Sequence, residues 1–322
     1  MLYLNEKYLR EVGVNWEQLV DVIEQTVQSL GDKDFVQPIK PYLRYRDLKN
    51  RIIAMPAFIG GNFNIAGIKW ISSFPDNIFK GIPRAHSVVI LNKAETGQPV
   101  AIINTALLSI LRTAAVTGLM IRYFDKVRPL KDVNLGIIGW GPIGQNHLRM
   151  ALDLFGDKIA KISLYDIRPI DKSTIDFAPL DKIVVSENWE QAYVDADVFI
   201  TATVSKASYI DKKPKKGSLQ LNVSLRDYKT DFFEYVKDSI IVDDWDEICR
   251  EKTDIEMMHL EKGLEERHTK SIVDMVVGNC MADYPAEAPI MFNPMGMAVF
   301  DMSVGIYFVN EAQKKGVGQE LV

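Results

Sequence analysis

Across 322 residues this chain carries two cysteines, four histidines and no excess of basic over acidic side chains. Cys249 and Cys280 form neither a disulfide framework nor a metal-ligand spacing, so reduced, buried thiols are expected. No grouping of His, Asp and Glu has metal spacing, and no nucleophile elbow is present, so neither a metal centre nor that kind of hydrolase is expected. A net charge of −5 provides no footprint for nucleic acid or an anionic membrane surface. Residues 1–6 lack the basic and apolar regions of a secretory leader. The apolar stretch over residues 99–111 is interrupted by Asn104, Thr105 and Ser109 and ends at Arg112, too short to span a bilayer. A cytoplasmic protein without a membrane or nucleic-acid partner is expected. No repeat or low-complexity segment appears. The length suits two domains, and 47% hydrophobic content suffices for a large core.

Against these absences stands one stretch with a definite meaning. The apolar run Leu135-Gly136-Ile137-Ile138 feeds into Gly139-Trp140-Gly141-Pro142-Ile143-Gly144, and a helical pattern follows. Strand, glycine turn and helix N-terminus in that order form an anion site: the glycines let backbone approach a pyrophosphate, and the helix dipole favours its charge. Gly139, Gly141, Pro142, Ile143 and Gly144 are therefore candidate cofactor contacts. The next strand ends at Asp166, 22 residues beyond Gly144, where an acid accepts from a ribose hydroxyl and repels a 2′-phosphate. NAD is favoured over NADP, with Arg168 able to soften the preference.

Before this turn, the periodicity predicts a strand and a helix over residues 1–30, capped by Asn15 with Gln18 three residues on. An extended, proline-bearing segment at 35–46 follows. Short strands at 51–56, 65–71, 87–91 and 99–103, the last two joined as a hairpin, predict an antiparallel sheet whose edges suit a partner subunit. From Thr105 to Phe124 the period becomes helical. After the turn, strands alternate with helices, predicting a parallel, helix-covered sheet that presents ligands at Thr201, Ala202, Thr203 and at Val223, Ser224. Residues 244–290 read as helical and polar, with Asp243–Glu247 opening a helix, and 298–315 as a final apolar helix. The expected architecture is α/β: a Rossmann-type NAD domain over 113–297, and an α+β substrate-binding and dimerisation domain over 1–112 and 298–322.

The chemistry-bearing candidates are cations and one acid. Arg112 lies on an apolar helix face, where burial is costly unless a carboxylate or phosphate meets it; a substrate carboxylate is preferred here to an internal salt bridge. Lys69 stands between Ile68 and Trp70 in an apolar strand. Lys40, Arg44 and Arg84 complete a set suited to a substrate with two or three carboxylates, although for Lys40 and Arg84 a solvated surface role is equally open. Asp227 follows a strand end, where a base or water activator would stand; loop capping is the alternative. His147 reads as packing or capping, and His86 as structural.

Leu111-Arg112-Thr113-Ala114-Ala115, Gly67-Ile68-Lys69-Trp70, the glycine turn, Thr201-Ala202-Thr203 and the segment opening at Asp227 together resemble the ornithine cyclodeaminase/μ-crystallin family over residues 1 to 320 or so. A narrower resemblance, to members acting on a glutamate joined through nitrogen to diaminopropionate, rests on 34–44, 51–56, 242–245, 250–252 and 293–298. It implies a homodimer, and NAD-dependent oxidation followed by hydrolysis to 2-oxoglutarate and 2,3-diaminopropionate, a siderophore or antibiotic precursor. It implies Arg44, Lys69 and Arg112 as carboxylate ligands, Asp227 as the group handling the water, and Met295 and Gly296 beside the cofactor; Arg84 and Met55 are added as further substrate-binding candidates and Lys69 as a catalytic one. Cyclodeaminases of the family carry Glu where this chain has Ile53, which argues against ornithine. Alanine dehydrogenase, imine reductase or cyclodeaminase activity, and a non-catalytic μ-crystallin-like binder, remain the alternatives.

Overall fold

A computed structural model describes residues 1–321. Its strands are β1 (Leu2–Asn5), β2 (Phe35–Val36), β3 (Tyr42–Leu43), β4 (Arg51–Ile59), β5 (Ile65–Ser73), β6 (Ala85–Lys93), β7 (Pro99–Asn104) and β8 (Val133–Ile138). They continue with β9 (Ile159–Tyr165), β10 (Ile183–Val185), β11 (Val198–Thr201), β12 (Leu219–Asn222), β13 (Ile240–Val242), β14 (Thr269–Ser271), β15 (Ile290–Asn293) and β16 (Gln319–Glu320). The chain divides into two compact units, one of Met1–Ala115 with the segment from Gly296 onward, the other of Val116–Met295.

The first unit holds an eight-stranded sheet in the order β16-β1-β7-β6-β5-β4-β2, with β3 also on β4. Strands β4 to β7 pair antiparallel, but β1 joins β7 in parallel, so the sheet is mixed rather than antiparallel throughout. Long chain between those two strands, instead of a hairpin, is what permits the parallel pairing. Period-two alternation puts Met55, Ala57 and Ile59, Ile65 and Lys69, and Val89 and Leu91 on the buried face. Helix Ala298–Lys315 crosses that face, with helix Trp16–Gly31 packed on it. Gly67 makes the crossing close, since a Cβ there would stand 2.8 Å from Met302 Sδ. Asn15 caps the second helix by accepting from the Gln18 N–H at 3.0 Å, whereas Glu6–Val12 forms a separate short helix that the sequence pattern did not show.

Helix Leu107–Val127 runs 21 residues, matching the helical period read from Thr105 to Phe124 and continuing well past the apolar stretch that ends at Arg112. By length and composition it could cross a membrane, but 72% of its apolar window is buried inside the protein, the mark of a core helix. Arg112 is carried within it because its charge is met by a carboxylate.

The second unit holds eight strands, all parallel, in the order β10-β9-β8-β11-β12-β15-β13-β14. From β8 the chain moves outward to one side and then returns to build the other, so β8 and β11 flank the switch point where such sheets bind ligands. The region read as helical over 244–290 also contains β14, and β15 lies inside the sheet between β12 and β13. Three or four residues are too few to display a strand period, and every residue of β15 is buried, which removes the alternation.

Candidate active site

In the second unit, β8 leads into Gly139, whose φ of +93° only glycine adopts cheaply. A Cβ there would sit 2.4 Å from Ala202 O, and one at Gly144 would sit 2.0 Å from Gly139 O. These two glycines let turn, helix and neighbouring strand touch. At Gly141, the N-cap of helix Pro142–Phe155, a Cβ would meet nothing within 4 Å, so its backbone is open to a ligand. Pro142 occupies the first helical turn, where no donor is lost. The Trp140 N–H donates to Asp166 Oδ2 at 2.7 Å and the Arg168 N–H to Oδ1 at 2.9 Å. Arg168 Nε also reaches Oδ1, at 3.4 Å. Asp166 is thus tied to the glycine turn from the adjacent strand, and Arg168 faces its carboxylate. Tight packing at two glycines with openness at the third fits a dinucleotide pyrophosphate.

A polar network joins the ends of β11, β12 and β15. Asn222 Oδ1 accepts from Thr201 Oγ1 at 3.2 Å and from the Leu225 N–H at 3.0 Å. Its Nδ2 donates to Asn293 Oδ1 at 2.8 Å and to Asp254 Oδ2 at 2.9 Å. Asp254 Oδ2 also accepts the consecutive N–H groups of Asp227 and Tyr228, at 3.0 and 3.1 Å. Burial drives the Asp254 carboxyl up to about 6, against the opposing pull of those donors. Leu225, at φ +69°, is held in the left-handed region by this bonding. Asp227 itself is fully buried and accepts from the hydroxyls of Thr203 (2.5 Å) and Ser224. Asp254 and Asn222 were missed in the sequence; a carboxylate beside Thr253, which caps the helix Asp254–Lys262, reads there as an ordinary first-turn acid.

The first unit carries a separate cationic group. Lys69, 1% exposed, donates to Asp301 Oδ2 at 2.5 Å. Arg112 Nε and Ser109 Oγ donate to Asp301 Oδ1 at 3.3 and 3.2 Å. Burial pushes the Lys69 ammonium down to about 7; Asp301 opposes this, while Arg112 and Lys40 add to it. For Asp301, burial would raise the carboxyl, but Arg112, Lys69 and the Ser109 hydroxyl outweigh it and the group lies below its ordinary value. Lys40, for which a solvated place was open, is buried and donates to Gly296 O at 2.9 Å. Gly296 has φ +89°, and a Cβ on it would stand 2.8 Å from Arg112 Nη1. Met55 is buried on β4 directly across from Lys69. Arg44 is exposed, its guanidinium 5.1 Å from the Tyr42 ring centre, and Arg84 is half-buried before β6.

The structure therefore brings Lys69 and Arg112 together on one acid, Asp301, that sequence reasoning missed. A signal existed: a single carboxylate inside the apolar run Val299-Phe300-Asp301-Met302. His147 is buried, with Nδ1 2.8 Å from Ile143 O and Nε2 3.0 Å from Thr117 Oγ1, and burial lowers it to about 4. It staples two helices, as expected. Among the described residues no cluster of potential metal ligands occurs.

A second unit with a parallel sheet and a glycine cradle at its switch point, and a first unit bearing buried cations, define a two-unit α/β protein of dinucleotide-binding type. The profile of the ornithine cyclodeaminase/mu-crystallin family matches residues 7–316, and the chain belongs to that family. It is 36% identical to the N-((2S)-2-amino-2-carboxyethyl)-L-glutamate dehydrogenase of Staphylococcus aureus, covering 100% of this chain and 98% of that one. An alanine dehydrogenase of Archaeoglobus fulgidus is 25% identical, covering 96% and 94%. The fold matches that of a Thermococcus litoralis Delta(1)-pyrroline-2-carboxylate reductase, solved with NADH and L-proline, at a TM-score of 0.87 and 22% identity over the whole of both chains.

Proposed function

We propose that the chain is an NAD-dependent dehydrogenase that converts N-(2-amino-2-carboxyethyl)-glutamate, with water, to 2-oxoglutarate and L-2,3-diaminopropionate. What carries this reading is the full-length similarity to the Staphylococcus aureus enzyme. The buried cationic group supports it: Lys69 and Arg112 share the single acid Asp301, and an anionic substrate offsets the remaining positive charge. A substrate with three carboxylates suits that surplus better than alanine does.

NAD, when bound, accepts the hydride from the glutamate Cα. Gly139, Gly141, Pro142, Ile143 and Gly144 would hold its pyrophosphate, and Asp166 would accept from the adenosine ribose and disfavour a 2′-phosphate. Thr201, Ala202, Thr203, Val223, Ser224, Met295 and Gly296 would contact the rest of it. Arg44, Lys69, Arg84 and Arg112 hold substrate carboxylates beside Met55, which fixes the Cα–H for transfer. Loss of hydride leaves a protonated imine between the glutamate carbon and the diaminopropionate nitrogen. Asp227 takes a proton as water adds to that carbon, then returns it to the nitrogen as the C–N bond breaks.

The protein works as a cytoplasmic homodimer, and its product feeds siderophore or antibiotic assembly. The dimer contact falls to the first unit, whose sheet leaves Trp70 44% exposed beside half-buried Ile68 and Ile90. The deciding experiment supplies NAD with the glutamate adduct, alanine or ornithine and follows NADH absorbance and products by mass spectrometry. NADH with 2-oxoglutarate from the adduct is expected. Turnover of alanine, or of ornithine to proline, in its place overturns the reading.

A further inference from the structure

Asp227 has no exposed surface, yet a proton from the reacting water has to reach its carboxylate. Both carboxylate oxygens are met by hydroxyls, Oδ1 by Thr203 and Oδ2 by Ser224, and both of those residues are half-buried rather than buried. The two hydroxyls differ in their acceptor sides. Thr203 Oγ1 accepts the Ser205 N–H at 3.2 Å. Ser224 Oγ accepts no hydrogen bond among the described residues while donating to Asp227. Of these two it is therefore the hydroxyl able to receive a proton on one side and pass its own on the other; the Tyr209 hydroxyl also lies near Asp227 and Thr203 but is buried and makes no hydrogen bond to either.

The loop holds this arrangement from several directions. The Ser224 N–H donates to Thr201 O at 3.1 Å, the Leu225 N–H to Asn222, and the Asp227 N–H to Asp254. With Leu225 in the left-handed region between them, Ser224 and Asp227 turn toward each other over a three-residue span.

We propose that the Ser224 hydroxyl relays protons between the reacting water and Asp227. As water adds to the imine carbon, one water O–H bond breaks and its proton goes to Ser224 Oγ. The Ser224 O–H bond breaks in concert and its proton goes to Asp227 Oδ2, leaving a neutral carboxyl and a carbinolamine. On collapse the path reverses: Asp227 reprotonates Oγ, the Ser224 proton passes to the departing nitrogen, the C–N bond breaks, and the carbinolamine O–H proton is released to solvent as the C=O bond forms. No oxidant beyond NAD is involved, and no net proton is stored. The relay rests on the reading of Asp227 given above and adds a second hydroxyl-bearing group to the hydrolytic half of the reaction.

The test separates hydride transfer from hydrolysis by rapid-mixing measurement of NADH. Ser224→Ala should keep a first-turnover burst of NADH at the wild-type rate and then turn over about 100-fold more slowly. Ser224→Thr, which retains the hydroxyl, should stay within about tenfold of wild type. NADH binding by fluorescence establishes that each variant is folded. Wild-type kcat in Ser224→Ala overturns the relay, as does loss of the burst or of NADH binding in that variant, or a Thr variant as slow as Ala. A wild-type enzyme that forms no NADH from the adduct overturns the reaction itself. Full activity in Asp227→Asn removes Asp227 from the hydrolysis. Each of these is a different result from a fast Ser224→Ala beside an inactive Asp227→Asn, which removes the relay alone.

Discussion

Asp301 turns two isolated cations into a site. Without it, Lys69 and Arg112 would be like charges in an apolar interior, each facing a large desolvation cost. With it, Arg112 keeps one edge on the protein while its terminal nitrogens lie against Gly296. Arg112→Ala is expected to raise the KM for the glutamate adduct by about two orders of magnitude while NAD binding persists. Normal KM with a lowered melting temperature would make Arg112 structural only. Asp254 gives a pH signature of a different kind. Its carboxyl is raised to about 6 in the folded chain by burial, so between about pH 4 and that value the folded state binds more protons than the unfolded one. Stability from this group is present at low pH and is lost as pH rises through the window, by about 3 kcal/mol in all. Differential scanning calorimetry of wild type and Asp254→Asn across the window checks it: the variant should gain on wild type as pH rises, and a constant gap would refute the shift.

The glycine turn and the last helix each depend on a missing side chain. At Gly144 a Cβ would drive into Gly139 O, and the turn would have to open. Gly144→Ala should weaken NADH binding by about 2 kcal/mol or more, over tenfold in affinity. A fluorescence titration matching wild type would show that this packing does not shape the cofactor site. Gly296, just before helix Ala298–Lys315, combines a positive φ with contact to Arg112. A side chain there strains the backbone and displaces the guanidinium together. The turn was legible in the sequence because glycine spacing, strand and helix are all local. The role of Gly296 was not, because the Arg112 it accommodates lies far away in the chain.

The molecule is built from two units with different sheets, one mixed and one parallel, and the dimer contact proposed above falls on the mixed one, where Trp70 is 44% exposed. Trp70→Glu is expected to weaken dimerisation by about 3 kcal/mol, roughly two orders of magnitude. Sedimentation velocity over a dilution series reads this directly. An unchanged dimer would move the interface off this face.

Hydrophobic periodicity, glycine spacing and the acid after β9 already specify a parallel sheet, a dinucleotide turn and a final apolar helix, because each of these is a pattern within a short window. The parallel pairing of β1 with β7, the inner place of β15 and the merging of Lys69, Arg112 and Asp301 into one group depend on contacts between distant segments. So does the burial of Asp227 behind Ser224. Local pattern reports which residues prefer to be inside; it carries no record of which buried charge meets which, and that meeting sets the chemistry.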